Sequence, residues 1–169
     1  MEEKTLIISN LKENLNWHSV KARVKADKSL ELCQRYKETG KTDELLFEYR
    51  YYEFMDYLAG IANQTIDYFE RFDNRCDGLI EYAKNVDFMV GTYLAPVNAT
   101  KKDIKKAGKV YKWIIRHKPL AIGETRPKIP SFFSKLFSFK NRRKEQEREL
   151  NEIYHHLERL SQQQNSIVD

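Results

Sequence analysis

Residues 42–72, TDELLFEYRYYEFMDYLAGIANQTIDYFERF, decide the fold. At about 100° per residue, Phe47, Tyr51, Phe54, Met55, Leu58, Ile61, Ala62, Thr65, Ile66, Phe69 and Phe72 fall on one side. Glu53, Asp56, Asn63, Gln64, Asp67 and Arg71 fall on the other. The pattern predicts a long amphipathic helix. Its aromatic stripe is core, because large rings bury the most area per residue. Thr42 is a suitable N-cap, and Asp43 and Glu44 sit where the helix dipole favours acids.

Upstream, residues 1–8 read as a short tail carrying Leu6-Ile7-Ile8, a stray strand or a staple onto the first helix. Ser9 or Asn10 can cap that helix, which runs toward Thr39 and stops at Gly40. Its apolar positions are Leu11, Leu15, Val20, Val24, Leu30 and Cys33, and the charged middle allows a break near Asp27. Downstream, residues 73–78 read as a turn. A third helix covers Leu79–Leu94, with Leu79, Tyr82, Ala83, Val86, Met89, Val90 and Tyr93 inward, and Pro96 ends it. Thr100 and Asp103 resemble a capping box opening a fourth helix to His117, with Ile104, Tyr111, Ile114 and Ile115 inward.

Residues 118–130 hold three prolines and Gly123 and form a loop. Ser131 can cap the last helix. Phe132, Leu136 and Phe139 lie in phase with Leu150, Ile153, Leu157 and Leu160, so one continuous helix fits, with a hinge near Asn141 as the alternative. Residues 140–149 carry no apolar side chain. They read as a solvated stretch held by Arg143 with Glu147 and Glu145 with Arg148. Residues 162–169 read as frayed.

The expected fold is all-α: one single-domain helical bundle of about five helices with a long C-terminal helix able to protrude. With 41% apolar residues, 6 Gly and 4 Pro in 169, the chain can bury a core but offers few turns for a many-stranded sheet. Residues 1–118 form the core, 119–130 the proline loop and 131–169 the basic amphipathic helix of the same domain. Cys33 and Cys76 read as thiols in a reducing compartment. The sequence carries no signal peptide, no membrane span and no zinc spacing, so a cytoplasmic location is expected, with a peripheral membrane position as the alternative. Trp17 and Trp113 read as half-buried anchors, and His18 and His117 as packing or surface residues.

Charge is sorted along the chain. Residues 101–148 hold 16 Lys/Arg against 4 Asp/Glu, whereas the rest holds 14 against 21. Such a half suggests an anionic partner. The first reading is a non-enzymatic adaptor or regulator that docks nucleic acid or an acidic protein surface. Lys101, Lys102, Lys105, Lys106, Lys109, Lys112, Lys135, Lys140, Arg142, Arg143 and Lys144 would carry the contact. The acidic stretch of a second copy could satisfy the same charges, giving a homo-oligomer. The second reading is a peripheral membrane protein. Phe132, Phe133 and Phe137 would enter the interface while the basic run after them meets anionic headgroups.

A third reading rests on Arg148 and His155, seven positions apart and on one helix face. His as general base and Arg as stabiliser of a charged transition state could cleave an RNA phosphodiester. The spacing resembles the Arg-x4–6-His motif of HEPN-type helical ribonucleases, with Glu149 in place of the polar residue usual after the Arg. That resemblance implies a metal-independent nuclease. Glu152-x-x-His155 has the spacing of a di-iron ligand pair, but no second copy exists in the sequence. No metal or cofactor is expected.

Overall fold

The computed structural model describes residues 2–72, 77–119 and 143–168, and side-chain surroundings for 3–72, 78–119 and 146–163. The chain is an all-α helical bundle. The described residues form α1 (Glu2–Glu38), α2 (Thr42–Arg71), α3 (Asp77–Leu94), a 3-10 turn (Pro96–Asn98), α4 (Lys101–His117) and α5 (Arg143–Val168), with no strand among them. No described helix is long and apolar enough to cross a membrane.

The residues sort into two compact units. One comprises Met1–Val24 with Met55–Pro130, the other Lys25–Phe54 with Ser131–Asp169. Helices α1 and α2 therefore each supply residues to both.

In the first unit, α2 buries Met55, Leu58, Ala59, Ile61, Ala62 and Phe69, much as its stripe implies. α3 buries Leu79, Tyr82, Ala83, Val86, Met89 and Val90 and packs against α4, which buries Ala107, Tyr111, Ile114 and Ile115. Each large side chain so enclosed contributes about 1.5–3 kcal/mol. Gly91 permits a close approach: a Cβ there would lie 3.3 Å from the imidazole of His18. That imidazole is bound through Nε2 to Asp87 Oδ1 at 2.9 Å. Arg23 holds Asp56 at 2.7 Å on the exposed side.

In the second unit, Cys33, Leu45, Leu46, Tyr49, Ile153 and Leu157 form the core, flanked by Leu30, Tyr36, Tyr52, Leu150 and Tyr154. The Leu150–Leu160 stripe is thus an inward face. α1 ends at Glu38 and the chain turns away at Gly40, whose φ of +71° suits a residue without Cβ. Ser29, buried in α1, donates to the Glu48 carbonyl at 3.3 Å and to its carboxylate.

Several expectations are corrected. Leu6-Ile7-Ile8 belongs to α1, which begins at Glu2 and runs unbroken through Asp27. Leu11, Leu15 and Cys33 are buried as expected, but Val20 and Val24 are 49% and 62% exposed, and between Leu15 and Cys33 the inward positions are Ser19, Ala22, Ala26 and Ser29. Small side chains let a facing backbone come near, so a stripe of them can be buried where larger residues at neighbouring phases are not. Trp17, at 58% exposure, is no anchor, and Phe47, Phe72 and Ile104 also lie outward. α5 continues to Val168, past the expected frayed end. Its phase toward Phe132 and the hinge at Asn141 lie outside the described residues, as does Cys76.

Candidate functional site

α4 is built to show its cations. Thr100 and Asp103 form the full capping box: the Asp103 amide donates to Thr100 Oγ1 at 3.1 Å, and the Thr100 amide donates to Asp103 Oδ2 at 3.2 Å. These bonds with Thr100, aided by Lys106 and Lys102, hold the Asp103 carboxyl below its ordinary 3.8. A Thr100→Ala variant is expected to lose about 1 kcal/mol of stability, read by urea denaturation.

With Ala107, Tyr111, Ile114 and Ile115 buried, the opposite side of α4 must face water. Lys101, Lys102, Lys105, Lys106, Lys109, Lys112 and Arg116 are all exposed. At 3.6 residues per turn they occupy an arc of about 140° and a length of about 23 Å. Asp103 is the one acid of this helix, and the cap engages it. Among the described residues, none of Lys101, Lys105, Lys109, Lys112 and Arg116 takes part in a salt bridge. Lys106 Nζ lies 4.8 Å from the centre of the Phe88 ring.

An aromatic cavity of about 490 Å³ adjoins the end of this face, its lining including Phe72, Leu79, Glu81, Tyr82, Trp113 and His117. The Trp113 and His117 rings stack at 4.2 Å with 14° between their planes. Tyr82 stands 6.4 Å from Trp113. The Trp113 carbonyl can only accept, so His117 Nδ1 donates to it at 2.8 Å, and Nε2 is the nitrogen left for an outside partner. Trp113 and His117 lie one turn apart on α4, at the edge of the cationic arc.

The second unit contains a different kind of cleft, of about 460 Å³, lined by Tyr49, Glu53, Glu149, Glu152, Ile153, His156 and Arg159. Tyr49 Oη bonds His156 Nδ1, and their rings meet edge to face at 5.6 Å. Beside it, Arg50 grips Glu149 with two bonds, Nε to Oε1 at 3.1 Å and Nη2 to Oε2 at 2.8 Å. Both members of this pair are largely buried. The end of the apolar-free stretch is therefore an anchored ionic contact rather than a solvated one.

Arg148 and His155 are both placed on α5, and neither lines this cleft. The histidine that gains partners is the adjacent His156. Lys135, Lys140, Arg142, Phe132, Phe133 and Phe137 lie outside the described residues, as do the side chains of Arg143 and Lys144. No group of three His, Cys, Asp or Glu able to hold a metal occurs among the described residues.

The sequence reading finds the cations of α4 but misses both clefts. The local signal for the first was Trp113 with His117 at i, i+4. For Arg50 with Glu149 there was none, because the two stand 99 positions apart. Comparison with protein-family models, with curated proteins and with solved structures finds no match.

Proposed function

We propose that this chain is a non-enzymatic binding protein that docks an anionic macromolecule on the cationic face of α4. The observation that carries the reading is the exposure of seven cations on one side of a capped helix whose single acid is engaged at the cap. A rigid cationic row of this length attracts a polyanion at long range, and contact releases its condensed counterions.

The test is fluorescence anisotropy with a labelled single-stranded oligonucleotide and with labelled polyglutamate. At least one should bind at about 50 mM salt and weaken steeply toward about 200 mM. Combining Lys105→Glu, Lys109→Glu and Lys112→Glu should weaken binding by about 100-fold or more at the lower salt. All three side chains are exposed, so the fold should survive. No binding of either probe, or equal binding by the triple variant, defeats the reading.

A further inference from the structure

We infer that the partner of α4 is single-stranded nucleic acid and that the aromatic cavity at the end of the helix takes one of its unstacked bases. The inference rests on the cationic-face reading and narrows it.

Three observations favour a base over any other anionic-polymer group. The cavity adjoins the cations, so a strand tracking Lys101 to Arg116 arrives at its mouth with a nucleotide to place. The lining offers flat surfaces in the ring pair of Trp113 and His117 and in the exposed Phe72, while the buried Tyr82 backs Trp113 from the core. Aromatic faces beside a positive track are how single strands are held without regard to sequence. The third observation is Glu81, an exposed carboxylate in the lining. It repels phosphate and the acidic side chains of a protein, but it accepts a hydrogen bond from a base bearing an amino group. The carboxylates of an acidic protein segment meet repulsion from Glu81 where a base meets an acceptor. A duplex keeps its bases stacked and out of reach.

The experiment uses a Trp17→Phe background, which leaves Trp113 as the only tryptophan. A labelled 12-nucleotide single strand and an abasic polymer of equal length and charge are compared. The single strand should bind roughly 5- to 100-fold more tightly and quench Trp113 fluorescence. Trp113→Ala should abolish that advantage. His117→Ala, at an exposed position that should not disturb folding, should reduce it, and neither should change the salt slope, since no phosphate contact is lost. Equal affinity for strand and abasic polymer, tight binding without quenching, or equal quenching by polyglutamate would overturn the inference while leaving the α4 reading standing. Failure of every polyanion to bind would remove the α4 reading, and the inference with it.

Discussion

Replacing Arg50 with Ala should destabilise the protein by about 3–5 kcal/mol, as measured by urea denaturation. Arg50 is 7% exposed, and its guanidinium meets both oxygens of Glu149. Removing it leaves a carboxylate enclosed without its counter-charge, at a cost well above that of an exposed ion pair. Glu149→Ala should behave alike, for the mirror reason. The double change Arg50→Met with Glu149→Leu should recover most of the loss, because no unpaired charge remains. If Arg50→Ala costs under about 1 kcal/mol, the pair is effectively solvated and the account fails.

Alkali should unfold this protein far more sharply than acid-linked groups alone would allow. The fully buried Cys33 thiol is pushed from 9.0 up to about 12, first by burial and then by Glu48. Burial raises Tyr93 and Tyr111 to about 12, and Tyr49, Tyr57 and Tyr82 further still. The unfolded chain releases these protons near 9 for the thiol and near 10 for the phenols, while the folded chain keeps them. Above about pH 9 the folded state therefore holds more protons, and stability falls as pH rises. Each group contributes about 1.4 kcal/mol per pH unit between its unfolded and folded values. Stability should be intact below about pH 8, begin to fall near 9 with Cys33, and drop steeply above 10 as the tyrosines join. By about pH 11 the loss is on the order of 5–10 kcal/mol, comparable with the whole stability of a typical domain. Thermal melts between about pH 8 and 11 test this. Cys33→Ala should remove the early limb and keep the steep one, and a flat melting profile up to about pH 10.5 would refute the argument.

How far the sequence was legible depends on what each residue type reveals. The helices were legible because large apolar residues recur at helical spacing in 42–72 and 79–94. The same habit placed Leu11, Leu15 and Cys33 correctly but misjudged the middle of α1. Counting large side chains selected Val20 and Val24, which face water, and passed over Ala22, Ala26 and Ser29, which are buried. Small residues carry little hydrophobic signal, yet they mark where another element can come closest. The cations of α4 were legible because one helix suffices to place them. The cavity was not, because its lining comes from α3, α4 and Phe72 just after α2, and no local spacing links Phe72 to Trp113. Arg50 reads as a surface charge until its distant carboxylate is in view.

The interleaving of the two units has a consequence for synthesis. A ribosome delivers the first 24 residues long before residues 55–130, with which they cluster. At 5–20 residues per second the wait is roughly 5–20 s. During it, the leading half of α1 has its inward residues but not the surfaces that cover them. The second unit waits longer, since Ile153 and Leu157 of its core are made more than a hundred residues after Tyr49. Until then Cys33, Leu45 and Tyr49 have one another but lack those two partners, and a chaperone that holds exposed apolar segments has that interval in which to bind.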